Sequence, residues 1–171
     1  MGANPRHVLS ALALAAVLLV LDRLTKLMVM GAVLPLPPPR RIPVLPFLDL
    51  VAVANRGVSF GLFNDHGLPA IVFVGISLAV TVFLLIWLCR GVSLWASLAL
   101  GLVIGGALGN TLDRILLGAV FDFLDFHIAG WHWPAFNLAD SGIVIGVALL
   151  LLDGVFDKTH KNKKHAQKES S

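Results

Sequence analysis

Hydrophobic positions in this chain gather into four long runs, at roughly residues 8–34, 68–89, 92–112 and 134–152. Each is close to the ~20 apolar residues a helix needs to cross a bilayer. The second run carries no charged residue, and the short link Arg90-Gly91 forces it and the third into an antiparallel hairpin. Four spans put both termini on one side and two connecting segments on the other. The longer connection, PLPPPRRIPVLPFLDLVAVANRGVSFGLFNDHG, opens with prolines that exclude a helix and favour an extended path. Within it, LDLVAVAN and VSFGLF have strand composition and Asn55 to Gly57 are turn residues, which predicts a small β hairpin or platform over about 43–66. Phe47, Phe60 and Phe63 would lie against the membrane surface. The shorter connection, FDFLDFHIAGWHWPAF, reads as a loop, with Trp131 and Trp133 suited to the interface. The expected fold is a mainly α membrane protein: four transmembrane helices, a small extracytoplasmic β platform and a second short outer loop.

Composition agrees with the pattern. Of the 171 residues, 57% are hydrophobic and 13% charged, and the mean hydropathy of +0.87 is far above that of soluble domains. A lone cysteine, Cys89, permits no internal disulfide and no cysteine metal site. The net charge of +3 owes much to the end of the chain, where KTHKNKKHAQKESS holds five of the thirteen basic residues. A basic tail after the last span is a topology signal and a contact for anionic lipid rather than for nucleic acid. The organisation expected is a single membrane domain over 1–157 and a basic cytoplasmic tail over 158–171. Arg6 and His7 ahead of the first run look like the start of a signal peptide, but no small-residue cleavage site follows, so the helix should remain as an anchor. Arg6, Arg90 and the lysines then mark the cytoplasmic face. Arg40, Arg41 and Arg56 oppose that assignment and are outnumbered. Trp87 and Trp95 would form an interfacial belt at the inner hairpin.

The intramembrane polar residues collect near the outer face. Asp22 and Lys26 are an i, i+4 acid-before-base pair in span one, tolerated through mutual neutralisation. Asp113 and Arg114 close span three and should cap it or form ion pairs. Asn110 and Asn137 suit interhelical hydrogen bonds, and Asp125 reads as a solvated loop position. Asp140 lies six residues past Pro134, which at about 1.5 Å per residue puts it roughly 9 Å inside the outer boundary. No single neighbouring cation accounts for both Asp122 and Asp140. Two carboxylates held a few ångströms apart share a proton, so that one can activate water while the other hydrogen-bonds a carbonyl. That is the chemistry of an aspartic peptidase, with no metal or other cofactor and no covalent intermediate. Paired membrane carboxylates also make proton relays, so the residues alone leave a peptidase and a small proton-coupled transporter open. Against the transporter, no internal repeat is visible and the polar cluster is one-sided. A purely structural four-helix scaffold leaves the polar density of residues 105–140 unexplained. GVSFG at 57–61 satisfies a serine-hydrolase pattern, with His66, His127 and His132 as conceivable bases, but it falls in a hairpin rather than on a strand-to-helix elbow. No H-E-x-x-H or three-ligand spacing suggests a metal.

The segments GGALGNTLDRILLGAVFDF (105–123) and FNLAD (136–140) resemble the signature regions of bacterial lipoprotein signal peptidase, also called signal peptidase II. The likeness extends to LDRLTK in span one, to NRGVSFGLF in the outer segment and to the four-span order. It implies an intramembrane aspartic peptidase of the bacterial cytoplasmic (inner) membrane, with both termini cytoplasmic and the site near the outer, periplasmic face. Such an enzyme cuts prolipoproteins before a cysteine already bearing diacylglyceryl, and the cyclic lipopeptide globomycin blocks it. By motif position, Asp122 and Asp140 correspond to the catalytic aspartates. Asn55, Gly57, Asn110, Asp113, Arg114 and Asn137 fall where substrate-holding or site-supporting residues are expected, and Asp22 and Lys26 correspond to a supporting pair. Arg23 departs from the glutamine expected beside that aspartate. The prolines at 35–39 match no motif.

Overall fold

The computed structural model describes residues 3–57 and 69–169, with 156–169 described by backbone alone. The apolar runs become α1 (Pro5–Val33), α2 (Ala70–Leu88), α3 (Leu94–Leu117) and α4 (Leu138–Glu169). Each contains a stretch long and apolar enough to span a membrane, in α4 the part Leu138–Val155, so the chain is a multi-pass membrane protein. The helix ends follow local chemistry. Asn4 caps α1 by accepting from the N–H of Arg6, and Ser93 caps α3 by accepting from that of Ala96. Gly118, at φ 72°, closes α3 in the left-handed conformation and donates to the Arg114 carbonyl. This cap comes one turn later than the apolar run suggested, so Asp113 and Arg114 sit within α3 rather than at its end.

α3 is the central helix, packed on α1, α2 and α4. Leaving lipid for protein gains apolar surface little, so close backbone approach has to hold such helices together. The stripe Gly101, Gly105, Gly109 provides it. Gly101 lies on the backbone of Ala11, and a Cβ on Gly105 would stand 2.7 Å from the Ala15 carbonyl oxygen of α1. Toward α4, Gly106 meets the Ala139 carbonyl, and a Cβ on Gly146 would lie 2.7 Å from that of Ala99. Leu9, Met28, Ile71 and Val144 remain exposed on the outside of the bundle, as a lipid-facing surface requires.

Both outer connections enter one antiparallel sheet of order β1-β2-β3-β4, formed by β1 (Arg41–Leu45), β2 (Leu48–Asn55), β3 (Val120–Ile128) and β4 (Trp131–His132). It sits at the end of the bundle opposite the α2–α3 hairpin. LDLVAVAN is a strand as expected, with β1 and β3 as its described neighbours; VSFGLF, expected as its hairpin partner, lies with Phe60, Phe63 and His66 outside the described residues. One expectation changes here: the second connection is not a loop. Its aspartates disguise a Phe- and Val-rich strand, and they are tolerated there because partners satisfy them. Asp122 and Asp125, an odd number of residues apart on β3, point to opposite faces. Residues 133–137 also belong to the sheet side. The N–H of Trp133 donates to Phe126, and Phe136 exchanges bonds with Leu124, so α4 begins only at Leu138. The prolines at 35–39 form the irregular link between α1 and β1, with a cis Pro38-Pro39 bond.

Candidate active site

That late start relocates Asp140. It stands in the first turn of α4 rather than roughly 9 Å down a span. Asn137 is the N-cap, and the pair forms a reciprocal capping box: the Asp140 N–H donates to Asn137 Oδ1 at 2.9 Å and the Asn137 N–H to Asp140 Oδ2 at 3.3 Å. The positive end of the helix dipole also favours a carboxylate there. Asp140 is half-buried, and its second oxygen accepts from Asn110 Nδ2 at 2.7 Å.

Asp122 comes from β3, on the face toward the helices, and is 2% exposed. Asn137 Nδ2 donates to its Oδ1 at 2.7 Å and Asn55 Nδ2 to its Oδ2 at 3.0 Å. Burial, and then the charge of Asp140, push its carboxyl up to about 6 against those donors. Asn137 Nδ2 also donates to Asn110 Oδ1 at 3.2 Å. The two amides therefore link the carboxylates in series, Asp122 to Asn137 to Asn110 to Asp140. Asn55 is held in turn by the Gly57 N–H, donating to its Oδ1 at 3.1 Å.

Beneath the amides lies a buried charge network. Lys26 Nζ is 2.8 Å from Asp22 Oδ2, 2.8 Å from Asp113 Oδ2 and 3.4 Å from Asn110 Oδ1. Arg23 joins at 3.4 Å from Asp113 Oδ1, so the residue that departs from the expected motif supplies a second cation to Asp113. The ion pair anticipated for Asp113 is thus with Lys26 and Arg23. Arg114 instead donates to the carbonyls of Asn110 and Gly57, at 3.4 and 3.2 Å, and lies over the Phe73 ring. Its buried Nε has no hydrogen-bond partner among the described residues.

A groove of about 710 Å³ ends on this cluster. Phe73 and Ser77 of α2 form one wall, Ile143 and Val144 of α4 the other, and Ala107 of α3 the floor, while Asn110, Arg114 and Asp140 close the polar end and 133–136 form the rim. All the intramembrane residues singled out from sequence meet here. Sequence reasoning missed Arg23 as a partner of Asp113 and the glycine stripe that lets α1 and α4 approach α3, although the four-residue glycine spacing was there to read.

Asp125 is not a solvated loop residue. It is 7% exposed and directly opposite Asp49, itself 3% exposed, on the neighbouring strand. Arg41 reaches Asp49 at 3.1 Å and Asp125 at 3.7 Å, while His132 Nδ1 lies 2.9 Å from Asp125 and His127 Nε2 3.3 Å from Asp49. His127 and His132, two of the three histidines considered as serine-hydrolase bases, are thus tied to the far face of the sheet, and His66 and Ser59 lie outside the described residues. Among the described residues no three His, Cys, Asp or Glu side chains converge as a metal-ligand set.

Known proteins share both the sequence and the fold. A family model described as signal peptidase (SPase) II matches residues 14–156. A protein named lipoprotein signal peptidase from Methylobacterium sp. (strain 4-46) is 47% identical over 156 residues, covering 90% of this chain and 93% of the relative. Its namesake from Vibrio cholerae is 48% identical over 117 residues, covering 67% of this chain and 68% of its own. Among solved structures, a bacterial membrane enzyme superposes with a TM-score of 0.76 at 28% identity, covering 88% of this chain and 90% of that one.

Proposed function

Given that the chain belongs to the signal peptidase II family, aspartic peptidases that remove signal peptides from prolipoproteins, we propose that Asp122 and Asp140 are its catalytic dyad. The observation that carries this is two carboxylates, from a strand and from a helix N-terminus, joined through Asn110 and Asn137 at the polar end of an apolar groove. Asp122, raised to about 6 by burial and by its neighbour, holds the shared proton. It hydrogen-bonds the scissile carbonyl while Asp140 removes a proton from the attacking water. The tetrahedral intermediate then collapses as a proton passes to the leaving amine. Arg114 Nε, buried and unpartnered among the described residues, suits a substrate backbone carbonyl, and Asn55 and Gly57 hold the opposite edge of the site. In this reading the groove receives the acyl chains of a diacylglyceryl-modified precursor and the cut falls before the lipidated cysteine. The test is purified protein in detergent with such a precursor, read by mass spectrometry: a product beginning at the lipidated cysteine is expected, and an intact precursor overturns the reading.

The charge asymmetry supports a bacterial inner-membrane location with both termini cytoplasmic and the sheet outside. Cys89 is exposed at the hairpin end and Ile128 at the sheet end. A membrane-impermeant maleimide should therefore label Ile128→Cys, and not Cys89, in right-side-out vesicles, and the reverse in inverted ones. The opposite result would reverse the orientation.

Globomycin should bind between Asp122 and Asp140, its polar group standing in for the attacked peptide and its acyl chain in the groove. A rise in melting temperature on adding globomycin is expected, and it should shrink when both aspartates are replaced by asparagine. An undiminished rise in the double variant would place the inhibitor elsewhere.

A further inference from the structure

The two aspartates of the buried charge network each hold the backbone one residue before a dyad aspartate. Asp22 accepts from the N–H of Ala139 at 2.9 Å, and Asp113 accepts from the N–H of Phe121 at 3.1 Å. Ala139 precedes Asp140, and Phe121 precedes Asp122. Lys26 bonds both carboxylates at 2.8 Å and directs its remaining donor to Asn110, the amide that contacts Asp140. Resting on the dyad assignment above, we propose that Lys26, Asp22 and Asp113 form a positioning bracket, which clamps the strand carrying Asp122 and the helix carrying Asp140 at one separation through their backbone amides.

Stability alone is a poor reason for such a network. Lys26, Asp22 and Asp113 are each 1% exposed or less, and the desolvation of a buried ionic triad commonly cancels its Coulombic gain, so apolar residues of similar volume serve a fold as well or better. Charge-assisted bonds are also short and directional, which suits a device that reaches from α1, near one end of the sequence, to β3 and α4 in its second half. Packing reinforces the point. A Cβ on Gly109 would stand 2.7 Å from Asp22 Oδ2 and 3.2 Å from the Ala139 side chain, so the glycine leaves room for Asp22 to reach the α4 amide. Arg23, about a quarter exposed and contacting only the outer oxygen of Asp113, balances the charge without entering the bracket.

The double variant Asp22→Asn/Lys26→Met tests this. It removes one charge of each sign, leaves the Arg23–Asp113 pair, and keeps an amide oxygen for the Ala139 N–H, but no cation then ties the side chain that holds Ala139 to the one that holds Phe121, and only the Asn110–Asn137 amides still link the dyad. A misplacement of about 1 Å at a reacting centre costs on the order of 10²-fold, so kcat should fall by about that factor with KM within about threefold. The high-pH limb of kcat is read where every charge stays, because Lys26 lowers the Asp122 carboxyl and its loss opposes the effect of carboxylates drifting apart, which by itself moves the limb to lower pH. Gly109→Ala, which leaves every charge in place and pushes on Asp22, should lower kcat about tenfold with KM as little changed and that limb at lower pH. Either variant, folded and with wild-type kcat, overturns the bracket, as does a wild-type pH profile in Gly109→Ala. Arg23→Gln is the control and should stay within about twofold. The dyad reading is judged separately: active, folded Asp122→Asn and Asp140→Asn enzymes would sink it, whatever the bracket variants do.

Discussion

Asp122→Asn and Asp140→Asn are each expected to lower kcat by about 10⁴-fold or more, and the double variant to be scarcely slower than either. Groups that act on one water through one shared proton fail together, whereas two independent carboxylates would give losses that add. Substrate binding should survive, because the apolar walls of the groove and Arg114 are untouched. Stability separates the readings further. Asp122 is 2% exposed with its carboxyl raised to about 6 from 3.8, so the folded chain binds more protons than the unfolded chain between those values. Stability is therefore lost as pH rises through that window and is not regained above it. Asp122→Asn escapes that loss, but its amide accepts from only one of Asn55 and Asn137 and turns an NH2 toward the other, and the Asp140→Asn amide likewise keeps its acceptor in the capping box at the expense of the bond from Asn110. The two effects offset, so both variants should stay folded and melt close to the wild-type temperature at pH 7. The same shift gives wild-type kcat/KM a falling limb above about pH 6, where Asp122 loses the shared proton. A well-folded Asp140→Asn enzyme with near-normal turnover would falsify the assignment.

The four spans were legible because lipid imposes long uninterrupted apolar runs, and the membership of the site was legible because charges inside such runs need partners. The motifs LDRLTK, GNTLDR, VFDF and FNLAD supplied the same residues independently. Less legible was whatever depends on contacts between distant segments. Asp125 looked solvated because nothing local reveals that Asp49 and Arg41 meet it across a sheet built from two connections far apart in the sequence. Pro134 to Asn137 looked like the start of a span because the segment is apolar, and only its bonds to β3 show that it belongs to the sheet. Even there a local signal existed. Asn137 and Asp140 have capping-box spacing, which marks a helix beginning at Leu138.

The unmodified precursor should be cut with a kcat/KM at least about 10²-fold below that of the diacylglyceryl form. Each methylene kept from water contributes about 0.8 kcal/mol. Five of them held along Phe73, Ile143 and Val144 would amount to about 4 kcal/mol, nearly 10³-fold, if the alternative were water. The alternative is partly detergent or bilayer, which reduces the gain in affinity and leaves the gain in position. An acyl chain lying in the groove fixes the cysteine at its polar end, beside Asn110, Arg114 and Asp140. Remote binding energy of this kind is realised in the chemical step, so the unmodified precursor should lose kcat and not merely raise KM. Filling the groove gives the converse test. Ala107 is on its floor and 9% exposed, and Ala107→Phe should slow cleavage of the lipidated substrate toward the rate of the unmodified one, while leaving the latter nearly unchanged. Equal rates for the two precursors in the wild-type enzyme would mean that the groove does not read the lipid.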